Sequence, residues 1–302
     1  MAGLVRRFLV PLVGVVAIAL TAVAPSTAGP AGPAGPAAPA AGSPAAPRYV
    51  ALGDSAAAGP LVPDLDPEIA CLRSTANYPA VAAELLDADL VDVTCSGARL
   101  SDLAGSRSGL LPPQHDALDP GTDLVTLTVG GNDVGLFEAA LSCINALPEP
   151  AGSSCADRYT AGGRDRLAEA VEGIRDDFRA ELDEIGRLAP HAQLVVTGYG
   201  TYFRPGGCHP REPFWGRDAD YVQASVDALS GMIEQETASH GGAFLDLATR
   251  SEGHDVCAEP GEKFYEGVVP SAPAAPLHPN AAGMAAFGAA VAEVADPRTD
   301  QR

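Results

Sequence analysis

Four short segments of this 302-residue chain carry side chains that, brought together, can perform nucleophilic chemistry. In Arg48-Tyr-Val-Ala-Leu-Gly-Asp-Ser-Ala-Ala-Ala-Gly59 an apolar run enters Gly-Asp-Ser and then small residues, which predicts a strand presenting the Ser55 hydroxyl at its carboxyl end. A tight turn backed by small residues keeps that oxygen clear of its own backbone, as attack on a carbonyl requires. Gly, Asp and Ser are also ordinary turn residues, and taken alone the segment reads first as a loop or helix cap.

The other three segments supply what a nucleophile lacks by itself. Leu124-Val-Thr-Leu-Thr-Val-Gly-Gly-Asn-Asp133 is a β-branched run of the kind found in buried parallel strands, and it ends in Gly-Gly-Asn-Asp. Its glycines let the backbone approach a ligand, and the Asn132 side-chain N–H can meet a developing oxyanion. Val91-Asp-Val-Thr-Cys-Ser-Gly97 is a further strand, ending in a glycine with an unobstructed N–H. Pro276-Leu-His-Pro-Asn-Ala-Ala-Gly283 sets His278 just ahead of an Ala-rich helix that Asn280 is suited to cap.

In this order the segments resemble the blocks of the SGNH hydrolases, the GDSL-type esterases and lipases: Gly-Asp-Ser as block one, Gly97 as block two, Gly-Gly-Asn-Asp as block three and His278 as block five. Cys71-Leu-Arg-Ser-Thr-Ala-Asn-Tyr-Pro79 and the Val-Thr-Cys-Ser-Gly-Ala phrase further resemble the secreted actinobacterial branch. The resemblance spans residues 48–295. It implies a serine ester hydrolase acting on carboxylic esters, of fatty acids in the first instance, with Ser55 as nucleophile and His278 as general base. It also implies an oxyanion hole from the Ser55 N–H, the Gly97 N–H and the Asn132 side chain. A carbohydrate acetyl-esterase or phospholipase on the same scaffold, or a non-catalytic glycan-binding module, are the alternatives.

The chain departs from the family pattern at two places. The Asp usually found three residues before the histidine is replaced by Ala275. An imidazole needs only an acceptor for its Nδ1–H to fix the tautomer, and the resemblance suggests the Ala275 backbone carbonyl. Asp255, Glu259, Glu262 and Glu266 lie upstream as possible substitutes, and spacing selects none of them. Ala56-Ala57-Ala58 follows the nucleophile where bulkier residues are common, which would widen the cleft. The Gly-x-Ser-x-Gly signature of α/β-hydrolases does not occur.

Around these segments the expected strands lie near 48–53, 89–94, 123–129, 193–198 and 243–247, with helices between. Leu167, Val171, Ile174, Phe178, Leu182 and Ile185 recur at steps of three and four, predicting one core-facing helix. Two more are expected over 221–237 and 280–294. Alternating strands and helices call for an α/β fold: a three-layer α/β/α sandwich on a central parallel sheet of about five strands, flavodoxin-like, with its site at the carboxyl ends of the strands. The Gly- and Pro-rich stretch 203–218 holds the one tryptophan and is a candidate substrate-facing loop. His209 within it suits a structural turn, and His115, His191, His240 and His254 read as surface residues.

Residues 1–28 combine Arg6 and Arg7, an apolar run from Phe8 to Ala24 and a small-x-small ending, Ser26-Thr-Ala28, as in a secretory signal peptide. Pro11 and a length at the lower limit for spanning argue against an uncleaved anchor. Residues 29–47, rich in Pro, Ala and Gly, form a linker; 48–295 form the hydrolase domain and 296–302 a tail. Six cysteines in an exported chain argue for three disulfides, with fifteen pairings possible. The resemblance implies Cys71–Cys95, Cys143–Cys155 and Cys208–Cys257. No metal or other cofactor is expected. The formal charge of −20 repels phosphate backbones and makes nucleic acid an unsuitable partner. A monomer acting on a small-molecule or lipid ester, without stable membrane insertion, is the expectation.

Overall fold

The computed structural model describes residues 45–107 and 109–296. The proposed signal peptide, the linker up to residue 44 and the tail beyond residue 296 lie outside the described residues. Along the chain come β1 (Arg48–Gly53), α1 (Ser55–Ala58), α2 (Tyr78–Leu86), β2 (Asp89–Asp92), α3 (Ser101–Ala104), β3 (Leu124–Thr128), α4 (Leu136–Ser142) and α5 (Cys155–Tyr159). Then follow α6 (Arg166–Gly173), α7 (Arg175–Leu188), β4 (Gln193–Thr197), α8 (Gly216–Ser239), β5 (Ala243–Leu245), α9 (Leu247–Arg250) and α10 (Ala281–Ala295).

All five strands pair in parallel in the order β2-β1-β3-β4-β5. Side chains alternate across a strand, so each central strand feeds two cores. Tyr49 and Ala51 pack on one face with Tyr78, Ala82, Met284, Phe287 and Val291, from α2 and α10. Val50, Leu52, Val125 and Leu127 pack on the other with Phe178, Leu182, Leu229 and Ile233, from α7 and α8. Two covered faces explain why β1 and β3 read as runs of apolar and β-branched residues with no polar/apolar alternation. The threonines among them are satisfied: Thr126 Oγ1 bonds Tyr49 (2.8 Å), and Thr128 Oγ1 bonds both Tyr78 and Thr197 (2.7 Å each).

The stripe from Leu167 to Ile185 belongs to two helices rather than one. Ile174 has φ −97° and ψ −3° and separates α6 from α7, yet the spacing of three and four carries on across the break, so periodicity could not reveal it. α10 begins as expected, with Asn280 Oδ1 accepting from the Gly283 N–H at 3.0 Å. The three disulfides join Cys71 to Cys95, Cys143 to Cys155 and Cys208 to Cys257.

Candidate active site

The nucleophile's support is built first from backbone. β1 lies between β2 and β3, and the ladder continues past its end: Asp54 N–H donates to Thr128 O (2.8 Å) and Cys95 N–H to Gly53 O (3.0 Å). Gly53 has φ +151°, and a Cβ there would stand 2.6 Å from Thr128 O, so the sharp exit toward Ser55 requires glycine. Gln114 clasps the same residue from the side, its Oε1 accepting from Gly53 N–H (2.8 Å) and its Nε2 donating to Gly53 O (3.0 Å). Asp54 then caps α1, with Oδ1 accepting from the Ala56 N–H at 2.8 Å.

A second Asp54 oxygen accepts from the Tyr199 hydroxyl at 2.6 Å, and that hydroxyl accepts in turn from the Gly131 N–H at 2.8 Å. One tyrosine at the end of β4 thus couples the ends of β1 and β3. Burial pushes the Asp54 carboxyl up to about 7, against the hydrogen bonds from Tyr199 and the Ala56 N–H, which favour its ionised form. This network is the main feature that sequence reasoning missed. Asp54 stood inside the quoted motif, but no local pattern marked Tyr199 or Gln114 as its neighbours.

The donors for an oxyanion come from loops tied to each other. Asn132 Nδ2 donates to Ala98 O (2.9 Å), which leaves the second amide hydrogen for a ligand. Leu100 N–H donates to the Asp133 carboxylate (3.1 Å). Burial raises that carboxyl to about 6. Gly97 has φ +79°, and a Cβ there would meet Arg107 Nη2 at 2.7 Å, so the turn again needs glycine. Among the described residues neither the Ser55 nor the Gly97 N–H has a protein acceptor. Ser55 and Asn132 line the cleft directly, whereas Gly97 belongs to the adjoining loop and does not.

His278 Nε2 stands 2.8 Å from Ser55 Oγ. Its Nδ1 is 2.8 Å from the carbonyl of Pro276, not that of Ala275. The correction has a backbone cause. Leu277 adopts φ +59°, a left-handed conformation that costs a leucine about 1–2 kcal/mol, and this turn folds the Pro276 carbonyl back under the imidazole. The Ala275 carbonyl instead accepts from the His278 backbone N–H at 3.2 Å. Burial of the Leu277 side chain offsets the strain. None of the four upstream carboxylates accepts from the ring: Asp255 pairs with Arg204 (3.0 Å), Glu259 with Arg211 (2.8 Å), and Glu266 with Asn280 Nδ2 (2.7 Å) and Ser271. Glu262 contributes its backbone carbonyl to His254. Burial lowers the His278 pKa below its usual value, opposed by the Pro276 carbonyl, and so favours the neutral ring.

Apolar groups enclose the remaining walls: Leu136, Phe137 and Ala140 from α4, Val222 and Val226 from α8, and Phe203 and Tyr202 between β4 and α8. The Phe137 ring centroid lies 5.5 Å from that of His278. Of the stretch 203–218, Phe203 reaches the cleft, but Trp215 is buried and donates to Leu147 O at 2.8 Å. That part of the expected substrate-facing loop is therefore structural. Of the four histidines read as surface residues, His191 is exposed as expected and three need correction: His115 is buried 3.0 Å from Glu181, and His240 and His254 are half-buried. His209 bonds Asn145 O at 3.2 Å and takes no part in the cleft.

The chain is similar to known proteins in sequence and in fold. Residues 51–286 match the model of the GDSL-like Lipase/Acylhydrolase family. Lipase 2 of Streptomyces coelicolor is 37% identical over 251 residues, covering 78% of this chain and 81% of that one. A lipase of Streptomyces rimosus is 35% identical over 217 residues, 70% of this chain and 73% of the other. Among solved structures, the extracellular lipase of S. rimosus superposes with a TM-score of 0.67 at 29% identity, covering 82% of this chain and 98% of that one. Phospholipase A1 of Streptomyces albidoflavus gives a TM-score of 0.67 at 27% identity with the same coverage.

Proposed function

The chain belongs to the GDSL-like lipase/acylhydrolase family and is a carboxylic ester hydrolase, and from that premise we propose that it works through an acyl-enzyme on Ser55 with His278 as its general base. The observation that carries this reading is the 2.8 Å contact between Ser55 Oγ and His278 Nε2, residues 223 apart in sequence. As Oγ attacks the acyl carbon, Nε2 takes its proton. The Pro276 carbonyl, accepting from Nδ1, holds the tautomer that leaves Nε2 free to do so. The carbonyl oxygen becomes an oxyanion facing the Ser55 N–H and the free hydrogen of the Asn132 amide, with the Gly97 N–H of the adjoining loop as the third donor that the family resemblance implies. Collapse breaks the ester C–O bond, and the imidazolium returns its proton to the departing alcohol. Water activated by the same ring then attacks the acyl-serine and releases the acid.

The apolar walls from α4 and α8 suit a fatty-acyl chain better than an acetylated sugar, whose hydroxyls would need partners there. Residues 48–295 form the catalytic domain in this reading, and residues 1–28 direct its secretion. Three disulfides, and similarity to the extracellular S. rimosus lipase, support an oxidising destination. Among the described residues no helix is long and apolar enough to cross a membrane.

Hydrolysis of p-nitrophenyl esters from acetyl to palmitoyl tests the reading. Wild type is expected to prefer medium or long chains, and Ser55→Ala to lose on the order of 10⁴-fold or more in kcat while remaining folded. Equal turnover by the variant would overturn the nucleophile, and preference for acetyl esters would overturn the fatty-acyl assignment.

A further inference from the structure

Exposed apolar side chains on a globular protein are ordinarily scattered singly. Here four of the exposed large apolar side chains follow one another along the segment that leads away from the cleft wall. Phe137, Leu141, Ile144 and Leu147 are 36%, 39%, 38% and 59% exposed, at successive steps of four, three and three. Phe137 forms the cleft wall beside His278, and the step of four sets Leu141 on the same side of α4.

These side chains have nowhere inward to go. The positions beneath them are taken by Ala139, Ala140 and Cys143, all buried. The segment is also pinned from below. Cys143 is bonded to Cys155, Asn145 N–H donates to Pro213 O (2.6 Å), Ile144 bridges to Phe214, and Trp215 Nε1 donates to Leu147 O (2.8 Å). A rigid shelf holding apolar groups in water is costly unless something covers them. Near the histidine, the Pro60 carbonyl accepts from Ala275 N–H, and the next residue, Leu61, is 47% exposed at φ +65°, a conformation leucine seldom adopts.

Charge narrows what can cover the strip. The chain carries −20, and its one lysine, Lys263, is buried. The arginines nearest the strip are engaged: Arg158 donates to Ser142 O and Ser153 O, and Arg217 pairs with Glu149 (3.0 Å) and Asp157 (3.2 Å). The net charge would repel an anionic surface, while a zwitterionic one would not be repelled. Resting on the ester-hydrolase reading, we propose that the strip Phe137–Leu141–Ile144–Leu147 is where the enzyme seats itself on a zwitterionic lipid surface, so that the cleft mouth opens onto packed acyl esters.

The test is sedimentation of the full chain with phosphatidylcholine vesicles, beside kcat/KM for p-nitrophenyl acetate, a soluble ester. Leu141→Ser and Leu147→Ser touch neither the cleft lining nor the core. Each is expected to lower vesicle partition about five- to tenfold, with soluble turnover and melting temperature unchanged. Leu141→Met should retain binding, and phosphatidylglycerol vesicles should bind wild type more weakly than phosphatidylcholine. Undiminished binding by Leu141→Ser/Leu147→Ser overturns the proposal, as does tighter binding to phosphatidylglycerol. So does a wild-type dimer in solution that the double variant dissociates, because the strip would then be covered by a second copy. A wild type that turns over no soluble ester would sink the hydrolase reading itself, and the surface proposal with it.

Discussion

Ser55 emerges from a strand flanked on both sides, whereas His278 lies near the end of the stretch 251–280, which contains no helix or strand of its own. On the serine side most of the positioning is main chain: ladder hydrogen bonds to β2 and β3, a glycine exit, and a cap. On the histidine side it is particular side chains. Glu266 donates its backbone N–H to the His278 carbonyl (3.0 Å), while its carboxylate accepts from Asn280 Nδ2 and from Ser271. Glu212 accepts from Val268 N–H at 3.0 Å and lies 3.8 Å from Lys263, and both are buried. The Cys208–Cys257 bond closes the loop from behind. A sheet's ladder survives most single substitutions because every residue contributes equally to it. A loop held by buried carboxylates does not, because losing one partner leaves the other unsatisfied.

The comparison breaks most visibly where both sides meet the substrate. His278→Ala should cost about 10⁴-fold or more in kcat, and combining it with Ser55→Ala should cost little further, since the two act as a unit. Single-turnover assays of the three variants check this, and additive losses would show two independent functions. Next in size, Asn132→Ala should lower kcat about 10²–10³-fold, some 2.7–4 kcal/mol, with KM nearly unchanged. A variant that raised KM alone would make Asn132 a substrate-binding group instead.

The contrast between supports is sharpened by a paired experiment. Glu266→Gln leaves one oxygen to answer both Asn280 and Ser271, and should lower kcat about tenfold. Gln114→Ala removes two hydrogen bonds from Gly53, yet the ladder remains, and kcat should fall no more than about threefold. Steady-state kinetics of both proteins decide the matter, and the reverse order would mean that the serine side depends on side chains after all.

The smallest expected effect is in pH dependence. Burial lowers the His278 pKa, and the neutral ring is the base, so kcat/KM should stay full above that pKa and fall as the ring protonates below it. The acid limb therefore lies under the ordinary histidine value of about 6.5. A limb above it in a soluble-ester pH profile would imply a partner carboxylate raising the pKa.

Much of the scaffold was legible because its signals are local. The five strands fall within two residues of their expected ends, and the central ones are the plainest, since a strand buried on both faces writes itself as an apolar and β-branched run bounded by glycine or turn residues. The Asn280 cap and the block residues Ser55, Asn132 and His278 were readable for the same reason. What was misread depends on conformation or on distant neighbours. The break at Ile174 preserves helical spacing, His115 is buried beside Glu181 of α7, and Trp215 turns inward to a carbonyl 68 residues away.

By itself the sequence determined which groups are available: a nucleophile after a strand, a histidine before a helix, an amide and glycines between them, and no Asp at the usual place. Only the tertiary structure decided that Pro276 rather than Ala275 orients the imidazole, because the choice turns on one left-handed dihedral at Leu277. It alone decided that Tyr199 joins Asp54 to Gly131, because residues at the ends of β1, β3 and β4 become neighbours through strand order, which residue types do not encode locally.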